Sequence, residues 1–297
     1  LMNNQSIFLK IRGILLKNTF KKLFISFTVL SLTACGSTTM QDNTFAAKEN
    51  KDFTKYTNQL VVEYAENDYT TMHQFFEHPE DYGIDVNKVD ISLGEFYTDN
   101  TKEIKEDQKE LKKFNRSTLD KTQQTIYDEL KYENELSLKA ENKKFQYLNN
   151  FWSTMSGLHQ SLISVFSEYI LRNEQDIKDL ITLINDVPRY TNDVLEYTKE
   201  QADKNTLQFD YESVTQDIQD VINNKEDSSI TSALYNAIDA LNLDAEKTTS
   251  YKAQVKEAMD TSFFPSYQSM LDTLTSLQSK VQPLQGLSNY KNGKKYY

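Results

Sequence analysis

The chain has a single cysteine, Cys35, in 297 residues. Disulfides within the chain are thereby excluded, and its body must be held together by packing. Glycine and proline are nearly as scarce, at seven and four. So few turn-formers over this length argue against a fold of many short strands, which needs them at each connection. Glycine is also too thinly spread for a Gly-x-Ser-x-Gly elbow or a phosphate-cradling loop, and neither occurs. Only three histidines, His73, His78 and His159, are available to hold a metal. Positive charge is short as well: 33 Lys and Arg face 44 Asp and Glu, for a net charge of −11. An acidic body repels phosphate backbones, so nucleic acid is excluded as a partner class.

What the sequence does have begins at its amino-terminal end. Lys10, Arg12, Lys17, Lys21 and Lys22 stand there without an acid among them, followed by an apolar run over 23–32. That run is about half of the ~20 residues a spanning helix needs, so it reads as a signal-peptide core rather than an anchor. It leads into Leu32-Thr33-Ala34-Cys35, which resembles the lipobox of bacterial lipoproteins. On that resemblance cleavage falls between Ala34 and Cys35, and the Cys35 sulfur carries diacylglycerol. The expectation is an exported protein, lipid-anchored to the outer face of the bacterial cell membrane. Residues 1–34 are then a signal peptide and residues 35–50, small and polar without apolar period, a flexible tether. Loss of the five leader cations leaves the remainder at a net −16.

From residue 51 onward the apolar residues recur at helical spacing, and the predicted fold is all-α: a multi-helix array or bundle with long helices and no substantial sheet. Phe53, Tyr56, Leu60 and Tyr64 mark a first helix, with a short helical piece over 72–77 and a loop to about Gly94. A charged helix is expected over 101–114, and another, capped by Ser117 or Thr118, carries Leu119, Ile126, Leu130 and Leu138. The stretch 152–171, crowded with apolar residues that include Met155, Leu158, Leu162, Phe166 and Ile170, is expected to be the most deeply buried element. Ile177, Leu180, Ile181 and Ile184 form a stripe, and Pro188 fits the first turn of a following helix that buries Tyr190, Val194 and Tyr197. Asp210 and Ser228 or Ser229 cap two further helices. The last helix is expected over 244–282, kinked at Pro265, with Gly286 as a left-handed cap beyond it.

Candidate chemistry is sparse. Catalytic zinc takes three protein ligands and an open position. His73 and Glu77 are four apart and could share a helix face, with His78 and Glu80 nearby, but no closed ligand set is visible, and the favoured reading is surface or loop histidines. His159 lies in the most apolar helix and reads as a hydrogen-bonded core histidine rather than a ligand. The carboxylates Glu103, Glu106, Asp107 and Glu110 read as a solvated helix face. Tyr190, Tyr197, Tyr251 and Tyr267 fit core stripes, with an aromatic ligand groove as the alternative. No catalytic, cofactor or metal residue is assigned.

Three stretches carry a family resemblance: His78-Pro79-Glu80-Asp81-Tyr82-Gly83-Ile84, the block 174–200, and the end from 264 to Tyr297 with Gly293-Lys294-Lys295-Tyr296-Tyr297. In this order they resemble the bacterial domain-of-unknown-function family 885, many of whose members are lipoproteins. The resemblance implies a helical zinc-peptidase-like protein acting on peptides, with a His-Glu pair and a Pro-Gly-His element beyond the Tyr-Tyr pair. No position of this chain matches that element, so no ligand is carried over. Residues 51–297 are accordingly read as the amino-terminal part of the family domain, truncated. That part would be a scaffold and cleft wall, inactive alone, and zinc would belong to a longer product. The alternative is a freestanding helical lipoprotein that binds a peptide, sugar or protein partner at the cell surface.

Overall fold

The computed structural model describes residues 48–96 and 99–296. Among them the structure is helical, without a strand; Gln208 and Gln282 form one isolated bridge. These residues make two units, one of residues 48–90 and 99–143 and one of residues 91–96 and 144–296.

In the first unit short polar side chains open the helices. The Asn50 side chain accepts from Asp52 N and Phe53 N to start α1 (Lys51–Glu66), and Asp68 starts α2 (Tyr69–Phe75). A 3-10 turn over Pro79–Tyr82 follows, closed by Gly83 at φ +78°. Helix α3 (Thr101–Leu111) buries only Ile104 and Leu111, the thin stripe expected of it. Helix α4 (Lys121–Ala140) is capped not by Ser117 or Thr118 but by Asp120. Its carboxylate takes the Gln123 N–H while the Gln123 side chain takes the Asp120 N–H, a reciprocal pair at the helix start. Ser117 and Thr118 lie instead in a 3-10 turn, and Leu119 is buried ahead of the helix. The buried Gln123 does more: Oε1 accepts from Asn50 N at 2.9 Å, and Nε2 donates to Asn50 O at 2.9 Å and to Thr54 Oγ1 at 3.0 Å. Phe53, fully buried, meets Phe114 edge-on at 5.1 Å beside it.

The second unit is organised by α6 (Glu174–Asp203), 30 residues long. Asn173 and Asp176 form a capping box at its start. Pro188 lies inside it, exposed, so the two helices expected around this proline are one. The stripe Ile177, Leu180, Ile184, Val187, Thr191, Val194 and Thr198 is buried across the proline on both sides, and that packing outweighs the missing backbone donor. This helix, not 152–171, contributes the most buried residues, 13 of its 30. The latter contributes only α5 (Leu158–Ser167), because a turn at 154–156 and Gly157 at the N-cap delay its start. Met155 is consequently 90% exposed, and Ile170, past the helix end, is exposed as well. Trp152, which lies in non-helical backbone, is nevertheless 1% exposed.

Asp210 and Ser228 cap α7 (Tyr211–Asn223) and α8 (Ser229–Ala240) as expected. The predicted helix over 244–282 is divided. Helix α9 (Ala245–Ala258) passes into a π-helical segment over Met259–Phe263, in which Phe264 N–H donates to Met259 O, five residues back. Helix α10 (Phe264–Ser276) then starts with Pro265 in its first turn. The π segment lies directly before Pro265, so the missing N–H falls in the first turn of α10, where it is not required. The helix stops at Ser276, and a 3-10 turn over Gln278–Lys280 follows. Gly286 has φ −58° and is no left-handed cap. Asparagines take that role in this glycine-poor chain: Asn205 and Asn242, at φ 54° and 53°, follow the ends of α6 and α8.

The last described turn, α11 (Gly293–Tyr296), folds back on the chain. A Cβ on Gly293 would lie 1.6 Å from Leu287 O, so no other residue fits. Tyr296 donates to Asn149 Oδ1 at 2.6 Å and packs on Phe145 at 5.3 Å. Gly293→Ala is therefore expected to open this turn and forfeit one hydrogen bond and one ring pair, a loss of about 1–3 kcal/mol. Faster amide exchange at 145–149 and 287–296 than in wild type, with α6 unchanged, is the measurement.

Candidate functional site

Cys35 and Ala34, the lipidation and cleavage residues, lie outside the described residues. The histidines lie apart. His73 is buried in α2, its ring stacked on Tyr69 at 5.5 Å, which corrects the expected surface position. Glu77 falls beyond the end of α2, so the expected shared helix face does not exist. His78 is exposed in the following turn, 3.7 Å from Glu80. Glu103 and Glu106 face solvent and Glu110 pairs with Lys113, as a solvated helix face requires. Among the described residues no three His, Cys, Asp or Glu are gathered to hold a metal ion, and no helix is long and apolar enough to cross a membrane.

The tyrosines are divided between two arrangements. Tyr190 and Tyr197 meet around Phe96, at 6.3 and 5.4 Å, and Phe151 closes the group at 4.9 Å from Phe96. Tyr197 also stacks on Tyr147 at 5.7 Å and donates to Gln146 O at 2.7 Å. The short strap 91–96 is pinned to α6 beside this cluster. Asp186 accepts from Leu93 N at 2.8 Å, while Arg189 pairs with Asp186 and donates to Gly94 O at 2.8 Å. The Asp186 carboxylate holds the Arg189 guanidinium more firmly protonated than usual. Tyr251 belongs elsewhere: its hydroxyl and the Lys247 ammonium both donate to Glu174, at 3.0 and 2.7 Å, and lower that carboxyl's proton affinity, Lys247 first.

Tyr267 leads to the most unusual group in the molecule. Fully buried, and with its phenol raised well above its ordinary range by burial, it donates to the main-chain carbonyl of His159. His159 sits in the first turn of α5 with no exposed surface. Its burial was expected, but hydrogen bonding was not borne out: neither ring nitrogen has a hydrogen-bond partner, and Asp217 Oδ2, on α7, stands 3.6 Å from Nε2. Burial pushes the imidazole's proton affinity below the ordinary histidine range, and the Asp217 carboxylate opposes that shift. One face of the ring lies along the Trp152 indole, with centroids 6.5 Å apart and planes 16° from parallel. Cε1 presses on Gly157, where a Cβ would come within 2.8 Å. Trp152 in turn donates from Nε1 to Thr198 Oγ1 at 2.9 Å. Gln160 donates to Asp217 Oδ2 at 3.3 Å. Spacing alone could not single out this arrangement, because Trp152, His159, Thr198, Asp217 and Tyr267 come from separate elements.

The stretches that carried the resemblance have structural reasons. Pro79 opens the 3-10 turn and Ile84 is buried directly after the left-handed Gly83; Pro188 stands in α6; Gly293 closes on Leu287. No curated protein and no solved structure matches the chain. The model of the family described as bacterial protein of unknown function (DUF885) matches residues 83–297, and the chain belongs to that family.

Proposed function

We propose that the protein is a membrane-anchored surface lipoprotein, held by diacylglycerol on Cys35, whose helical body is the scaffold and cleft wall of a zinc-dependent peptidase-like protein. The observation that carries the anchoring is the sole cysteine, placed directly after Leu32-Thr33-Ala34 at the end of an apolar run with a cationic start. The scaffold role is supported by the long buried α6 with its clamped strap. Zinc content and peptidase activity of the protein are the measurements that test the peptidase-like part of this reading.

Cells expressing the wild-type chain and fed labelled palmitate should yield a processed, labelled protein that sediments with membranes. Cys35→Ser should abolish the label and leave the chain either unprocessed or released. A Cys35→Ser protein that still became processed and lipid-labelled would end this reading.

A further inference from the structure

We propose that His159 is a proton-operated release for the segment 151–157: an imidazolium formed there leaves the Trp152 stack, moves to Asp217 and loosens the first turn of α5. The geometry points to this in three ways. The neutral ring is held by shape alone, since Trp152 and Gly157 pack against it and neither nitrogen has a hydrogen-bond partner. An imidazolium carries two N–H donors, and burying them unpaired is costly. A carboxylate then lies within a short displacement. Asp217 Oδ2 at 3.6 Å is just outside bonding range, and closing to about 2.8 Å would make a charge-assisted hydrogen bond. Asp217 is 35% exposed, so the pair would form at the solvent edge rather than in the interior.

The charges around the ring are few. Helix α7 presents Asp217; α10 presents the Tyr267 phenol, neutral and engaged with the His159 carbonyl. Neither α5 nor the segment 151–157 carries an Asp, Glu, Lys or Arg, and α6 contributes the Thr198 hydroxyl that holds Trp152. Tyr267 holds the His159 carbonyl, so the loosening is confined to the Gly157 side of the turn, and the ring is restrained by packing against Gly157 and Trp152 rather than by hydrogen bonds. Because the folded protein resists protonation here, the unfolded chain takes this proton first. The contribution to stability is complete above about pH 6.5 and declines as pH falls through that value toward the lower folded midpoint.

Trp152 is the only tryptophan, so indole emission reports on this site, and His159→Gln isolates the contribution of the imidazole. An imidazolium against an indole quenches emission, and departure of the ring changes the indole's surroundings again. Titration of the intact protein from about pH 7.5 to about pH 4 should show a one-proton change in emission with its midpoint below about 6.5, while far-UV circular dichroism stays constant. His159→Gln should remove the transition. Asp217→Asn, a change at a part-exposed side chain, should move the midpoint lower. The proposal is overturned by flat wild-type emission, by a transition that survives His159→Gln, by a midpoint indifferent to Asp217→Asn, or by loss of helical signal along the same curve. If His159→Gln does not fold, the Asp217→Asn shift decides alone.

Discussion

Trp152→Ala is expected to lower the folding stability of the unit that contains it by about 3–5 kcal/mol, among the largest effects of any single substitution in this chain. Two losses combine. The indole is 1% exposed, and its removal leaves a cavity bounded by Phe209 and His159, whose rings lie 6.4 and 6.5 Å from its own. It also removes the donor to Thr198 Oγ1, a hydroxyl that is itself fully buried and keeps only its bond to Val194 O at 2.7 Å. Trp152→Phe separates these contributions, since it retains most of the ring but not the N–H; a cost of about 1–2 kcal/mol is expected from the unpaired acceptor and the lost volume. Urea unfolding followed by circular dichroism is the measurement, because the variants lack the fluorophore. A loss under about 1 kcal/mol for Trp152→Ala would show that segment 151–157 does not pack as described.

Pro188→Ala should act in the opposite direction, stabilising the protein by about 2 kcal/mol. Inside a helix proline costs about 3 kcal/mol relative to alanine, through its missing N–H and the clash of its ring with the carbonyl four residues back, here that of Ile184. Proline recovers about 0.4–1 kcal/mol by stiffening the unfolded chain, and the difference remains available to the variant. Its side chain is exposed, so no core packing is forfeited. The urea midpoint should rise with the slope unchanged. A fall in stability would mean that the proline makes contacts worth more than the backbone bond it prevents. Should function decline while stability rises, α6 would be a place where the family tolerates strain for shape.

The helical character of the chain could be read from its periodicity, and so could several starts, because Asp210 and Ser228 stand directly before amphipathic runs. What could not be read was set by competition between local and tertiary terms. A proline signals a boundary locally, yet the stripe from Ile177 to Thr198 buries enough surface on both sides of Pro188 to hold one helix together. At Asp120 a cap with a reciprocal partner three residues on displaced two plausible hydroxyls. Apolar density mistook 152–171 for a buried helix because Met155 and Trp152 count alike in a window, while the backbone sends one into solvent and the other into the core. The His159 arrangement was partly legible: burial followed from its apolar neighbours, but the surroundings of its ring are set by Trp152 and by Asp217 on another helix. The proposed anchoring motif is the reverse case, an expectation drawn wholly from local order along the chain.

The double hydrogen bond between the Gln123 amide and the backbone of Asn50 has a mechanical meaning. A pull applied to the chain ahead of residue 50, as in a single-molecule stretching experiment, loads the start of α1. At that start Asn50 has its N–H and C=O both held at 2.9 Å by one side chain rooted in the first turn of α4. Force is thereby passed across to a second helix before it can peel the first turn of α1. Gln123 thus serves as a cleat, and the strain it relieves is one that no equilibrium measurement would register.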